Sequence, residues 1–382
     1  MLSIDFLPNT GGIAAHVYEL SKALVKQGND VQVITLRRGF HDKKYQEIDG
    51  IKVYRVYYPR LRVIGFFVYS FLAWLKLRML VRGGVERSHA FIWFPDGVTC
   101  LLAFKTLRIP YFVTVHASEI LPKYTSLEGF IFKKLMSLVL SNARAIIAVS
   151  QFTKSKLIDC GVEPEKIVVI PNGTDPLRFN PKVDPIESVQ RFDLLGKRVI
   201  LTVGGLVERK GHDMVIKSLP QVLKEVPNAV YLIVGEGQEL SRLKELVTAL
   251  DLENCVLFVG RVGDDELPKY YNACDVFIMP SREITETGDA EGFGIVYLEA
   301  NACGKPVIGG RAGGVPGAIL DGVTGFLVNP LSAEEISEAL IKLLQNNELA
   351  VKLGVNGRRR VEEELNWDII ANKVQQVYYQ RL

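Results

Sequence analysis

Residues 276–308 read VFIMPSREITETGDAEGFGIVYLEANACGKPVI, and this stretch decides the fold of its half of the chain. It begins with a short apolar run, rich in branched side chains, that is typical of a buried strand, and it ends with a second such run. Between the two runs lie a polar loop, glycines at positions 292 and 294, and an apolar segment from Ile295 that predicts a helix. The order strand, loop, helix, strand is the repeating unit of a parallel sheet covered by helices.

Two glutamates flank the predicted start of this helix, Glu291 in the loop and Glu299 in the second turn. The first amides of a helix have no partners inside it, so this helix end favours phosphate or other polar oxygens. At a rise of 1.5 Å per residue the carboxylates lie roughly 12 Å apart, which is too far for both to act on one bond. The pattern fits two carboxylates that bind hydroxyls on different sugar units of one elongated ligand. It also fits an exposed helix with two solvated glutamates.

The composition limits the class of protein. A chain of 382 residues exceeds the usual single core, so two domains are expected, and 48% hydrophobic with 23% charged residues indicates a globular protein. A net charge of +3 and the lack of a recognisable nucleic-acid motif argue against a nucleic-acid partner. The five scattered cysteines predict reduced thiols in the cytoplasm, and the spacing of cysteines and histidines predicts no metal site. The first residues lack the pattern of a signal peptide.

The first half of the chain alternates between strand and helix patterns. A strand at 2–7 leads through Gly11-Gly12 into a helix, and Asp49-Gly50 predicts a hairpin. Further strands are predicted at 31–34, 91–94, 111–115, 145–149 and 167–170, with helices at 98–107, 127–141 and 152–158. This alternation predicts a doubly wound parallel sheet, which binds ligands beyond the carboxyl ends of its strands.

Two features of this half are candidates for a site. The Gly11-Gly12 turn can cradle phosphate, although tight strand-to-helix turns also use glycine for steric reasons alone. His116 follows the strand 111–115. With Ser118 and Glu119 in the same loop it could bind sugar oxygens or stabilise charge, although a histidine at a strand end is commonly structural.

Residues 60–87 concentrate the positive charge of the protein, with six lysines and arginines against one glutamate. Between the flanking cations, 63–75 is uncharged and rich in aromatic residues. The uncharged run is too short to span a bilayer, which needs about 20 apolar residues. It fits a core helix with cationic ends, and it also fits a rim that rests on an anionic membrane surface.

The second half repeats the alternation after the Pro-rich segment 171–185, beginning with a strand at 199–203. In the turn that follows, Arg209 and Lys210 could neutralise a diphosphate, or they could form a solvated loop. The turn 260–264 is a candidate for binding a nucleobase edge. Residues 235–238 lack the third glycine of G-x-G-x-x-G, and the P-loop motif is missing from the sequence, which disfavours dinucleotide and P-loop sites.

Together these motifs resemble the retaining glycosyltransferases of family four over nearly the entire chain. The resemblance rests on Gly11-Gly12, His116, Lys210 and, most specifically, the E-x₇-E element from Glu291 to Glu299. It implies an α/β GT-B fold with two facing Rossmann-like doubly wound domains and a cleft between them. The implied divisions are an acceptor-side domain at 1–177, a nucleotide-sugar donor domain at 178–363, and a C-terminal helix at 364–382 that packs back on the first domain.

The resemblance implies transfer of a sugar from a nucleotide diphosphate donor to a lipid-linked or glycan hydroxyl, with retention and without a metal or cofactor. The donor half is most similar to phosphatidylinositol mannosyltransferases that use GDP-mannose, so GDP-mannose is the preferred donor and a UDP-sugar the alternative. The implied catalytic residues are His116, Glu291 and Lys210. The implied donor-binding residues are Gly12, Arg209, Lys210, Val262, Asp264, Glu291, Phe293, Gly294, Ile295, Val296 and Glu299.

In these roles Glu291 and the backbone at 293–295 hold the donor sugar, and Glu299 binds the ribose. Lys210 holds the diphosphate. Three departures from the family pattern stand out: Gly205 replaces a usual arginine, Ala117 follows His116 where glycine is usual, and 28–30 reads Gly-Asn-Asp. Arg209 is the candidate substitute for the missing arginine.

Two other functions fit the same fold. A nucleotide-sugar epimerase would convert the donor without an acceptor, and a non-catalytic module would bind the nucleotide sugar without turning it over. For the transferase we expect a cytoplasmic protein that lies on the inner face of the membrane through residues 60–87.

Overall fold

The computed structural model describes residues 1–9, 11–37, 39, 42–59, 62–120 and 127–381. The chain forms two compact units, Met1–Asn172 together with Trp367–Leu382, and Gly173–Asn366. These boundaries differ by a few residues from the expected 177 and 363. Thr174 forms a β-bridge with Asn366, and the Thr174 N–H donates to Leu365 O at 2.9 Å. These contacts place both connecting segments, around residues 174 and 366, in the second unit.

The strands of the first unit are β1 (Gln32–Arg37), β2 (Tyr45–Ile48), β3 (Ile51–Tyr57), β4 (Ser88–Ala90), β5 (Tyr111–Val115), β6 (Ala145–Ala148) and β7 (Ile167–Val169). They form the runs β1-β3-β2 and β4-β5-β6-β7, which are parallel except for the β2–β3 hairpin. Leu2 bridges both runs through Ile34 and Ala90. The hairpin at Asp49-Gly50 is confirmed.

The helices of the first unit begin with α1 (Gly12–Lys26), α2 (Arg62–Arg82), α3 (Val98–Leu107), α4 (Leu127–Asn142) and α5 (Gln151–Asp159). The predicted strand at 2–7 is wrong beyond Leu2. The Ser3 hydroxyl donates to Asp5 O at 2.7 Å, and this local bond bends the chain away from the ladder.

The predicted strand at 91–94 is also wrong, because the extended pairing stops at Ala90 and a π-helical turn occupies Trp93–Gly97. Asp96 lies buried in this turn, where its carboxylate accepts from the Ile4 N–H and from the Tyr69 hydroxyl, both at 3.1 Å. These distant partners draw the segment into a turn. They were invisible in the local apolar pattern.

The strands of the second unit are β8 (Arg198–Val203), β9 (Ala229–Val234), β10 (Val256–Gly260), β11 (Val276–Met279), β12 (Val307–Gly310) and β13 (Gly325–Val328). They form one parallel sheet in the order β10-β9-β8-β11-β12-β13. Every residue of β9 and β11 is buried, as expected when helices cover both faces of a parallel sheet.

The helices of the second unit are α6 (Ile186–Arg191), α7 (His212–Glu225), α8 (Leu240–Ala249), α9 (Leu267–Ala273), α10 (Ile295–Ala302), α11 (Val315–Ala318), α12 (Ala333–Gln345) and α13 (Asn347–Glu364). The last helix, α14 (Trp367–Gln380), belongs to the first unit. There the Tyr378 hydroxyl and His89 Nδ1 lie 2.6 Å apart, and Lys26 pairs with Asp368.

Candidate functional site

The strand order of the second unit selects one position for a ligand. The chain adds β9 and β10 on one side of β8 and then returns to add β11, β12 and β13 on the other side. Ligands of open parallel sheets bind where the order reverses, beyond the carboxyl ends of the strands. That position lies between β8 and β11, and the loops that leave these two strands carry Arg209, Lys210 and Glu291.

Glu291 is the centre of an ion-pair network. Its Oε2 accepts from Lys210 Nζ and from Arg209 Nη1, the latter at 2.7 Å. Arg209 Nε also pairs with Asp289 Oδ2 at 3.1 Å. The side chains of Lys210 and Glu291 are only 12% and 13% exposed, so their attraction is weakly screened by water. The structure therefore brings together three predicted residues from two distant parts of the sequence and adds Asp289.

The network fixes the charge state of Glu291. Burial opposes ionisation of this carboxyl, but the two cations outweigh burial and lower its pKa to about 2. Burial also lowers the pKa of Lys210, and Glu291 opposes that shift. Glu291 is therefore an ionised acceptor at neutral pH, suited to binding hydroxyls rather than to removing a proton.

Gly294 sets the geometry between Glu291 and α10. Its φ is 93°, and a Cβ at this position would lie 2.5 Å from the ring of Tyr297. The Tyr297 hydroxyl donates to Met279 O, which ties the first turn of α10 to the end of β11. The Glu291 carbonyl accepts from the Gly314 N–H at 2.7 Å. Glycine is thus required here by both backbone conformation and contact.

The other residues predicted on this stretch have different surroundings. Ile295 and Val296 are the first residues of α10 and are partly buried, whereas the Phe293 side chain is 2% exposed, so only its backbone can face a ligand. Glu299 Oε2 accepts from the Tyr271 hydroxyl at 2.6 Å. Glu299 therefore belongs to a second polar contact, separate from the Glu291 ion pairs.

The predicted base-binding turn follows β10. Val262 is partly buried and Asp264 is exposed, and the Asp264 carbonyl accepts from Arg178 Nη2. Arg178 lies near the start of the second unit and was not predicted to contact this turn. The contact fixes the turn by its main chain and leaves the Asp264 carboxylate exposed.

Gly205 occupies an open position after β8. A Cβ there would meet its nearest neighbour, Glu236 O, at 3.8 Å. Arg209, the candidate substitute for the missing arginine, is engaged by Asp289 and Glu291. Its charge is therefore partly neutralised by these two carboxylates.

The first unit holds a histidine cluster near the predicted Gly12 turn. Gly12 opens α1, and His16 on that helix lies with its ring centroid 5.0 Å from the ring of His116. His16 Nδ1 and Asn172 Oδ1 lie 2.6 Å apart. Burial lowers the pKa of His16 to about 4 and, together with the neighbouring histidines, holds the pKa of His116 well below its usual range. Both rings are neutral at physiological pH.

Three polar residues around these sites escaped prediction: Asp289, Tyr271 and His16. Asp289 lies in the polar insert before Glu291. Its negative charge close to the glycine turn is a sequence feature that could have identified it as a site residue. Tyr271 and His16 carry no local signal, because they reach their partners through the packing of helices α9 and α1.

The aromatic segment forms α2, and its helix runs beyond the uncharged stretch. Ile64–Arg82 is long and apolar enough to cross a membrane by length and composition alone, and the uncharged run 63–75 covers only the first part of this helix. One side nevertheless packs into the first unit through Tyr69, Ala73 and Leu77. Arg60 lies outside the described residues, and only the backbone of Arg62 is described.

The opposite side of α2 exposes apolar residues at helical spacing. We define the apolar face as these residues together with the exposed apolar residues of α4: Ile64, Phe67, Phe71, Leu75, Met79, Phe130, Ile131 and Leu138. Phe94 joins the two helices, since its ring centroid lies 5.6 Å from Phe67 and 5.1 Å from Phe132. The buried side of α2 fits the expected core helix, and the exposed side is the one that the membrane expectation concerns.

Two family models match the chain. Residues 10–178 match Glycosyltransferase Family 4, and residues 187–360 match Glycosyl transferases group 1. An uncharacterized glycosyltransferase of Methanocaldococcus jannaschii is 30% identical over 99% of this chain and 97% of its own length.

Two further comparisons concern a relative and a solved structure. A GDP-mannose-dependent alpha-(1-6)-phosphatidylinositol monomannoside mannosyltransferase of Mycolicibacterium smegmatis is 36% identical over 59% of this chain and 60% of its own length. The chain thus matches about three fifths of the length of that relative. The structure of sucrose-phosphate synthase from Thermosynechococcus elongatus has a TM-score of 0.84, 25% identity, and coverage of 99% of this chain and 97% of that chain.

Proposed function

The chain belongs to glycosyltransferase family 4 and has the GT-B fold, and on that premise we propose that it transfers mannose from GDP-mannose to a lipid-linked or glycan hydroxyl. Use of a nucleotide-sugar donor follows from the family. The choice of mannose is supported by the similarity to the GDP-mannose-dependent relative, and a UDP-sugar is the alternative donor. The observation that carries the proposal is the buried Lys210–Glu291 ion pair at the strand reversal of the second unit.

The proposed reaction retains the configuration of the anomeric carbon. The bond from this carbon to the diphosphate oxygen breaks, and the acceptor hydroxyl oxygen forms a new bond on the same face. The acceptor's proton goes to the departing phosphate oxygen. Because the leaving group is a diphosphate, stabilisation of its charge is the main task of the protein.

The residues of the second unit fit this task in distinct roles. Lys210, Arg209 and the first amides of α10 at Ile295 and Val296 stabilise the diphosphate, since cations and helix starts both attract phosphate. Glu291 is already ionised and accepts from hydroxyls of the donor sugar, next to the backbone of Phe293 and Gly294. These assignments are supported by the charges of the side chains and by the positions of the loops that follow β8 and β11.

Three more roles complete the proposal. Glu299 binds the ribose, and the turn containing Val262 and Asp264 binds the base. From the first unit, His116 supports the sugar and its developing charge, and Gly12 contributes to donor binding. As neutral imidazole, His116 can offer a hydrogen bond without repelling a developing positive charge.

A panel of nucleotide sugars tests the donor. We expect GDP-mannose to raise the melting temperature most and to release GDP when an acceptor extract is added, with activity retained in a chelator. Strongest stabilisation and turnover with a UDP-sugar would replace mannose by that sugar. Conversion of the donor without an acceptor would favour an epimerase, and binding without nucleotide release would favour a non-catalytic module.

We also propose that the protein lies on an anionic membrane surface through the apolar face. Its apolar residues could enter the outer part of a bilayer, and exposed cations border them: Arg78 and Arg82 on α2, and Lys133 and Lys134 on α4. Lys134 Nζ lies 4.6 Å from the centre of the Phe130 ring. This combination suits an interface with acidic headgroups, because apolar burial and charge attraction act together. A lipid-linked acceptor would be reached at the same surface.

Vesicle sedimentation tests this surface. Wild-type protein should bind vesicles that contain anionic lipid, and binding should weaken with salt. Phe67→Ser with Phe71→Ser should abolish binding, and Arg78→Gln with Arg82→Gln should weaken it mainly on anionic vesicles. Leu195→Ser, at an exposed apolar position of the second unit, is the matched control. Absence of wild-type binding at low salt would contradict the proposal.

A further inference from the structure

The turn that carries His116 has a strained backbone. Ala117 has φ 85° and is fully buried. This left-handed conformation brings the Cβ of an L-residue close to its own backbone, so glycine is the residue that adopts it at low cost. A strained residue persists only where surrounding contacts hold it in place.

Three hydrogen bonds hold this turn. The His116 N–H donates to Glu119 Oε1 at 2.7 Å, and the Ile120 N–H donates to Ala117 O at 3.0 Å. Trp93 Nε1–H donates to Glu119 O at 2.9 Å and so anchors the far end of the turn. The first bond is the shortest and joins a carboxyl group to the amide of the histidine itself. It therefore acts directly on the orientation of that residue.

Two polar atoms of the turn lack a protein partner. His116 Nε2 and Glu119 Oε2 are buried and make no hydrogen bond within the part of the chain that the structure describes. An unpaired buried polar atom is unfavourable, and such atoms are expected where a ligand completes the bonding. Burial also raises the pKa of Glu119 to about 7, and the His116 amide opposes that shift. The carboxyl group is thus held by the backbone at one oxygen and available at the other.

We propose that Glu119 is the positioning residue of His116. Its side chain locks the amide of His116 across the strained Ala117, so that the imidazole keeps one orientation toward the sugar. This inference rests on the proposed function, in which His116 supports the donor sugar. A glycine at position 117 would adopt the left-handed conformation at low cost. With alanine at this position, the Glu119 hydrogen bond stabilises that conformation instead.

Four variants test the proposal. Glu119→Ala removes the lock, whereas Glu119→Gln keeps an oxygen that can accept from the His116 amide. Ala117→Gly relieves the strain and is combined with Glu119→Ala. Glu163→Ala, at an exposed position of the same unit, is the matched control. Each protein is assayed for kcat, for donor KM and for melting temperature.

We expect Glu119→Ala to lower kcat by about tenfold or more, because small displacements of a positioned group are costly to catalysis. Donor KM should change by less than about threefold, since the diphosphate contacts lie in the second unit. Glu119→Gln should restore most of kcat, and adding Ala117→Gly to Glu119→Ala should restore part of it. Wild-type kcat in Glu119→Ala, or an equal loss in Glu119→Gln and Glu119→Ala, would overturn the proposal.

The melting temperatures separate this proposal from the proposed function. If the wild type turns over no nucleotide sugar, the transferase assignment fails. The stabilisation of the strained turn by Glu119 can still be measured from the melting temperatures. Glu119→Ala should then lower the melting temperature more in the wild-type background than in the Ala117→Gly background. Equal losses in the two backgrounds would show that Glu119 does not hold the strained turn.

Discussion

The two loops that carry Lys210 and Glu291 and the turn of His116 all follow buried parallel strands, but different forces organise the ion pairs and the turn. In the second unit, opposite charges meet before any ligand is bound, and Glu291 holds two cations. In the His116 turn, the backbone is strained at Ala117 and two buried polar atoms have no partner within the described chain. The ion pairs of Glu291 fix the positions of charged groups before a ligand binds. The His116 turn fixes the orientation of hydrogen-bonding groups.

The roles proposed for the two places give this difference a chemical reason. A diphosphate has a large fixed charge, so its site is best prepared by cations held in place by a counterion. A sugar hydroxyl is neutral, and its site depends on the direction of donors and acceptors. We therefore expect substitutions at the two places to differ in size and in the kinetic constant that they change.

The largest effect is expected from the ion pair. Lys210→Ala and Glu291→Ala should each lower kcat/KM on the order of 10²- to 10³-fold, because each removes charge stabilisation or sugar contacts in a buried site. Removing one partner of a buried pair also destabilises the fold. Glu291→Gln, which keeps the shape, and the exposed Glu286→Ala serve as comparisons, with melting temperature measured for each. Near-normal turnover in both alanine variants would contradict the roles proposed for these two loops.

Acid unfolding tests the same charges without a substrate. The folded-state pKa of Glu291 is lowered from 4.5 to about 2, so its ionisation stabilises the protein above about pH 4.5, and this contribution is lost as the pH falls toward 2. We expect a contribution on the order of 1–3 kcal/mol. Denaturant unfolding of the wild type and of Glu291→Gln should converge in this range of pH. A constant difference between them from pH 6 to pH 2 would show that the carboxyl group is not held ionised.

The smallest change in a kinetic constant is expected from adding a positive charge at Gly205. The open space at this position admits a side chain, and an arginine there could reach a diphosphate without the competing carboxylates that engage Arg209. Gly205→Arg should lower donor KM by about two- to tenfold with little change in kcat. Gly205→Gln controls for bulk without charge. An equal effect of both substitutions would exclude a charge contact.

Much of the second unit could be predicted because its signals are local. The apolar runs at 199–203 and 276–279 are strands, and the glycine turn before Ile295 starts a helix. The charged residues stand out against these apolar runs, so the sequence identifies Lys210 and Glu291 as candidates without information about their contact. What the runs did not reveal was that β8 and β11 are neighbours, and it is this pairing that joins the two loops.

The first unit was harder to predict, because its decisive contacts are distant in sequence. The segment 91–94 has the composition of a strand, yet the contacts of Asp96 with Ile4 and Tyr69 turn the chain. The apolar pattern of α2 could not separate its buried side from its exposed side, because both are apolar. Only packing against the sheet makes that distinction.

The sequence by itself determined the two-unit α/β architecture, the family and most residues of the proposed donor site, because strand periodicity, glycine turns and charge are properties of neighbouring residues. The tertiary structure alone decided which of these residues meet. In it Lys210 and Arg209 pair with Glu291, and the Tyr271 hydroxyl donates to Glu299. The His116 N–H donates to Glu119. Those contacts depend on strand order and side-chain direction, which are fixed only when the whole unit packs.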